Sequence, residues 1–141
     1  MKIQVKKFHP TAVIPTYGSD GAAGADLYAL HDVVVYEGEA PKKIRVGVGF
    51  AIPPGYEGEI RVRSSLAAKG MAVAQGTIDS DYRGEVSVVA SMLPGASNLL
   101  IRKGERCAQI VFSPCVQAKL EETHELPETA RGEKGWGSTG L

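Results

Sequence analysis

Apolar residues along this chain fall in short runs, with no long helical period. Ile3-Gln4-Val5, Val33-Val34-Val35-Tyr36, Ile44-Arg45-Val46, Glu59-Ile60-Arg61-Val62-Arg63, Val86-Ser87-Val88-Val89 and Ala108-Gln109-Ile110-Val111-Phe112 are rich in β-branched residues, and several alternate polar with apolar. Alternation with period two places every second side chain on one face, so these runs predict half-buried β-strands. Seventeen glycines and eight prolines break the chain between them, at roughly the 8–12-residue spacing of an all-β sandwich or barrel. Only Ser64 to Lys69 has the make-up of a helical turn or two. The expected architecture is a single all-β domain, a jelly-roll-like barrel.

The alternation stops near Glu121. The stretch from Glu121 to Glu128 is polar and acidic, and the Gly-rich ending from Arg131 to Leu141 offers little to bury. Glycine loses the most backbone entropy on ordering, so such a segment does not fold alone. The chain therefore divides into a barrel over residues 1–121 and a flexible C-terminal arm over residues 122–141. That arm nevertheless carries the only tryptophan, Trp136, close to Arg131, Ser138 and Thr139.

Composition narrows the function classes. The 141 residues are 43% hydrophobic, enough for a buried core in one domain. Sixteen Lys and Arg balance sixteen Asp and Glu. Grip on duplex phosphates normally brings a basic excess, so a nucleic-acid partner is not expected. Mean hydropathy of -0.08 and the absence of a long apolar run argue against a membrane protein. The opening Met1-Lys2-Ile3-Gln4-Val5-Lys6-Lys7 turns polar too early for a signal peptide. Cys107 and Cys115 match no metal-ligand spacing; on one strand they would stand about 26 Å apart, beyond disulfide reach. Two small buried thiols in a reducing cytoplasm are the expectation, with His9, His31 and His124 too scattered for a transition-metal site.

Five segments have the residue types of a chemical site. Gly76-Thr77-Ile78-Asp79-Ser80-Asp81-Tyr82-Arg83-Gly84-Glu85 brackets two carboxylates, a tyrosine and an arginine between glycines. It reads either as a turn presenting Asp79 and Tyr82 or as a plain capped turn with an Arg83–Glu85 surface pair. Arg63-Ser64-Ser65-Leu66-Ala67, at a strand end, reads as a phosphate cradle of amides, hydroxyls and guanidinium, or as an ordinary serine N-cap. Gly21-Ala22-Ala23-Gly24-Ala25-Asp26-Leu27 lacks the strand-loop-helix context of a dinucleotide fingerprint, whereas Asp26 at a strand mouth suits a hard cation held through water. Gly104-Glu105-Arg106-Cys107-Ala108-Gln109 opens an apolar strand with Gln109, and Gly137-Ser138-Thr139-Gly140 lacks the spacing of a Walker loop.

Taken in order, these segments closely resemble the five motifs of the homotrimeric dUTP pyrophosphatases, and the resemblance runs over nearly the whole chain. It implies hydrolysis of dUTP to dUMP and pyrophosphate with Mg²⁺ on the triphosphate, which limits uracil incorporation into DNA and supplies dUMP for thymidylate synthesis. By the same resemblance Asp79 orients the attacking water, and Tyr82 packs under the deoxyribose where a 2′-hydroxyl would clash. A hairpin between Met71 and Ile78, with Gln75, Gly76 and Ile78 among its residues, reads uracil by main-chain groups. Arg63, Ser64, Ser65 and Gln109 surround the phosphates, and Asp26 acts on the metal through water. In the arm, Arg131 reaches the γ-phosphate, Trp136 stacks on uracil in place of the usual phenylalanine, and Gly137, Ser138 and Thr139 contact the phosphates. The family is a homotrimer in which each arm closes over a neighbouring subunit's site. Ser65 and Lys134 stand where glycine is more usual. Two other readings stay open on residues alone. One is a dCTP deaminase on the same fold, which normally has arginine where this chain has Ala68; the other is a non-catalytic nucleotide-binding regulator, for which Asp79 would have no use.

Overall fold

The computed structural model describes residues 1–135. Its strands are β1 (Gln4–Lys7), β2 (Thr16–Tyr17), β3 (Ala25–Tyr28), β4 (Val33–Val35), β5 (Lys42–Arg45), β6 (Val48–Ala51), β7 (Tyr56–Arg61), β8 (Met71–Val73), β9 (Gly76–Ile78), β10 (Ser87–Met92), β11 (Leu99–Ile101) and β12 (Arg106–Pro114). Among the described residues the one helix is α1 (Ser64–Ala67), between β7 and β8. The strands pair antiparallel in four ladders, ordered β2-β3-β12-β7-β9, β5-β10-β8, β1-β6 and β4-β11. The fold is the all-β, jelly-roll-like barrel that the alternation predicts.

Side-chain period explains which strands the sequence reveals. In β10, Val88, Ala90 and Met92 face inward while Val89 faces out, and in β7 Gly58 and Ile60 are the buried pair. Their inward faces join Leu27, Ile44, Val46, Ile52 and Ile110 in one core. Burial on this scale favours folding by roughly 1.5–3 kcal/mol for each large aliphatic side chain. β3 and β6 show no such alternation, because three consecutive residues of each are buried. In β6, Gly49 interrupts the apolar run; a Cβ there would fall on the Gly84 carbonyl oxygen and the Phe8 ring, so two backbones approach as only glycine allows.

One expectation is corrected. β8 and β9 are joined through Ala74 and Gln75, as a hairpin would be, yet they do not pair with each other. β8 pairs with β10, and β9 crosses to the edge of the five-stranded sheet beside β7. The short link thus passes between two sheets. Beyond β12, residues 115–135 form no helix or strand, and Val116, Leu120 and Leu126 are almost fully exposed. Among the described residues, no helix is long and apolar enough to cross a membrane.

Candidate functional site

The candidate residues assemble into two groups. The first lies where β3, β12 and β7 run side by side, with Asp26 opposite Gln109 and Gln109 opposite Arg61. Asp26 is the one buried charged side chain among the described residues. Its Oδ1 accepts a 2.8 Å hydrogen bond from Arg63 Nε, and its Oδ2 accepts a longer one, 3.4 Å, from Arg106 Nη1. Two guanidinium groups thus compensate a carboxylate that burial would otherwise penalise. The Gln109 amide donates to the Val62 carbonyl at 3.0 Å and lies against Gly24, where a Cβ would stand 2.5 Å from Gln109 Oε1. Gly24 is therefore glycine because Gln109 occupies its side-chain space. A β-bulge at Cys107 shifts the β12 register, which re-aims the start of the strand and lets Arg106 reach Asp26.

Arg63 also starts α1. Its backbone is extended, and its carbonyl accepts from the Leu66 and Ala67 amides. A serine N-cap is not what forms: Arg63 holds the cap position, and no side chain bonds to it. Ser64 and Ser65 stay exposed, while Leu66 is buried and fixes the helix to the core. The first amides of any helix lack intrahelical partners, so free amides lie next to the two exposed serines and Arg63 at this helix start.

The second group is the turn that follows β9. The Tyr82 amide donates to the Asp79 carbonyl at 3.1 Å, and Arg83 Nη1 donates to the carbonyls of Ser80 (2.6 Å) and Tyr82 (3.0 Å). Arg83 thus ties the turn through its backbone and does not pair with Glu85. That carboxylate belongs instead to Arg45, whose Nε and Nη2 donate to Oε1 (3.1 Å) and Oε2 (2.8 Å), and to the Gly47 amide, which donates to Oε1 at 3.1 Å. The Arg45 hydrogen bonds, aided by the Gly47 amide and the nearby Lys43 charge, hold Glu85 below the usual carboxylate range, with burial opposing. The Tyr82 hydroxyl donates to the Glu85 carbonyl at 3.0 Å, and its ring fills the space a side chain at Gly84 would need. Asp79 is exposed, and among the described residues no side-chain hydrogen bond or ion pair engages its carboxylate. It borders a cleft of about 250 Å³ with Lys43, Ile78, Tyr82 and Glu85, and a wider one of about 620 Å³ with Tyr56, Glu57, Asp81 and Cys115.

The two groups stand apart within one chain. Gly58 pairs with Ile78 and Ile60 with Gly76, so Asp79 continues to the level of Glu57. Arg63 lies two residues past the other end of β7, still in extended backbone, so about 20 Å separates it from that level at roughly 3.3 Å per residue. Gln75 sits between them in the link before β9, its amide bonded to Glu59, which also binds Arg61. Arg131 lies in neither group; its Nε donates to the Lys134 carbonyl at 2.9 Å in a local turn with Gly132 at φ 51°. Trp136, Gly137, Ser138 and Thr139 lie outside the described residues. Sequence reasoning missed Arg106 and Arg45. Arg106 lies inside the Gly104–Gln109 motif, whereas nothing local to Arg45 signals a partner forty residues away. Cys107 and Cys115 are both free, and burial pushes the Cys107 thiol up to about 12, which makes it an inert packing group.

Comparison with known proteins covers nearly the whole chain. The family model described as dUTPase matches residues 11–140. A deoxyuridine 5'-triphosphate nucleotidohydrolase of Nautilia profundicola is 48% identical, covering 99% of both chains, and one of Hydrogenobaculum sp. is 42% identical over 100% of this chain and 99% of its own. Among solved structures, the dUTPase of Staphylococcus bacteriophage 80alpha with dUpNHpp superposes with a TM-score of 0.85 at 27% identity, covering 99% of each chain. A dUTPase variant from phage phi11 of S. aureus, in which a structural Mg(II) ion is coordinated, shares the fold at a TM-score of 0.80 and 23% identity, over 89% of this chain and 98% of that one.

Proposed function

The chain belongs to the dUTPase family and hydrolyses dUTP to dUMP and pyrophosphate; we propose that it does so in sites assembled between the subunits of a homotrimer. The observation that carries this reading is the distance between the two groups. Asp79, just past β9 beside one end of β7, and Arg63, just past the other end of β7, stand about 20 Å apart along the backbone, too far to hold one phosphate chain within a single copy. Copies related by a cyclic axis bring the Asp79 turn of one to the cradle of another.

In that arrangement the Asp79 carboxylate accepts a hydrogen bond from water and aims it at the α-phosphorus. With no side-chain partner among the described residues, both oxygens are available for that task. Arg63, Ser64, Ser65 and Gln109 bind the phosphates, where donors placed in advance stabilise the charge that develops on transfer. The backbone around Gln75, Gly76 and Ile78 reads uracil, and the Tyr82 ring underlies the deoxyribose. The arm over residues 122–141 closes on a neighbouring site, bringing Arg131, Trp136, Gly137, Ser138 and Thr139 and excluding water.

Mg²⁺ fits the donor set. Among the described residues no cluster of three or more His, Cys, Asp or Glu exists to cage a metal, and Asp26 is already occupied by two guanidinium groups. Such a carboxylate suits outer-sphere contact through water with an ion carried mainly by substrate phosphates. Bound there, the ion neutralises phosphoryl charge. Two free cysteines accord with the reducing cytoplasm in which we place the protein.

Mixing two crippled chains tests the shared site. Asp79→Asn and Arg63→Ala homotrimers should each be nearly inactive, and co-refolded mixed trimers should recover a substantial fraction of turnover at sites holding one intact half from each. Mixed trimers verified by mass that recover nothing would sink the composite site.

A further inference from the structure

The ion pair between Arg45 and Glu85 lies beside the candidate site, and none of the roles above uses it. Arg45 is on β5, forty residues from Glu85, and its side chain is about half exposed. A pair this open contributes little to stability. Its geometry is nevertheless closely defined. The guanidinium fork engages both Glu85 oxygens, and the Gly47 amide makes a third bond to Oε1. Gly47 is itself immobilised. It adopts φ 70°, a Cβ there would meet Ala12 and Leu30, and its carbonyl accepts the Phe8 amide at 2.8 Å. On the other side of Glu85, the Val86 amide donates to the Val48 carbonyl at 2.9 Å. Glu85 is therefore anchored to rigid backbone through both its side chain and its main chain.

What Glu85 holds in turn is Tyr82. The hydroxyl donates to the Glu85 carbonyl, the ring lies over Gly84, and the Tyr82 amide closes the turn on Asp79. Bonded contacts run without a gap from Arg45 through Glu85 and Tyr82 to Asp79. We propose that Arg45 and Glu85 are positioning residues that fix the height of the Tyr82 ring and thereby set discrimination between deoxyribo- and ribonucleoside triphosphates. The inference rests on the reading of Tyr82 as the surface under the deoxyribose. Steric rejection of one hydroxyl requires a wall that does not recede, and a ring free to shift by about 1 Å loses most of that selectivity.

The test compares kcat/KM for dUTP with that for UTP in the intact trimer. Arg45→Met removes the fork and keeps the aliphatic stem, and Tyr82→Phe removes only the hydroxyl that meets Glu85. Each should lower the dUTP-to-UTP ratio by about tenfold, the double variant should lose little more, and Arg45→Lys should recover part of the ratio. Thermal midpoints should stay within a few degrees of the parent, separating positioning from folding. An unchanged ratio in Arg45→Met, where Tyr82→Ala abolishes it, would overturn the clamp while leaving the Tyr82 reading intact. An unchanged ratio in Tyr82→Ala would remove that reading and this inference together.

Discussion

The Asp26 group and the Asp79 turn each present a carboxylate, and the chain treats the two in opposite ways. Asp26 is buried on β3, beside β12, and paired with both Arg63 and Arg106. Asp79 is exposed, has no side-chain partner among the described residues, and sits on a turn held by backbone bonds and by Arg83. Each Asp26 oxygen already holds one guanidinium donor, whereas both Asp79 oxygens face solvent and are open to accept a hydrogen bond from an attacking water. In the proposed mechanism Asp26 serves as the anchor for a cationic cradle, and Asp79 is left open for chemistry. Position in the fold, more than residue type, assigns the roles.

The largest expected effect that sharpens this contrast is on turnover. Asp79→Asn keeps the shape and loses the charge, so kcat should fall by roughly 10²–10⁴ while the affinity for dUTP and the thermal midpoint stay near the parent values. Equal losses in binding and turnover, read from steady-state kinetics beside equilibrium binding of a non-hydrolysable analogue, would deny Asp79 its special place. Asp26→Asn should show itself in stability as well. Removing the charge leaves Arg63 facing a weaker, neutral acceptor, and chemical denaturation should show a loss of about 1–3 kcal/mol. If Asp79→Asn destabilises as much as Asp26→Asn, the distinction between anchor and open group collapses.

The smallest effect concerns acid. Glu85 is held below its ordinary range by Arg45, so its contribution to stability is fully present above the unfolded value, about 4.3, and is lost as pH falls through the lower folded one. Arg45→Met should flatten the decline of the thermal midpoint below about pH 4.5 by a small margin, since exposed pairs contribute modestly. Identical acid profiles for the two proteins would show that the pair is not linked to folding.

Much of the architecture was legible along the chain. Runs such as Val86-Ser87-Val88-Val89 and Ala108 to Phe112 alternate because one face meets the core and the other meets solvent, and that signal is local. β3 and β6 escaped notice because they are buried on both sides and lose the period. Within the site, the ordered motifs mark Asp26, Arg63, Asp79, Tyr82 and Gln109 as candidates, but not how they meet.

The sequence by itself determined an all-β chain, the residue types of a nucleotide-handling site and, through five ordered motifs, the family. Only the tertiary structure decided which charges pair. Arg83 is two residues from Glu85, yet Arg45, forty residues away, takes that carboxylate because strand pairing brings Ser87 opposite Arg45. Arg63 reaches Asp26 because β12 lies between β3 and β7, an order set by how their apolar faces pack together. Proximity along the chain governs turns, whereas partners across a sheet depend on strand order and register, and these are properties of the whole core.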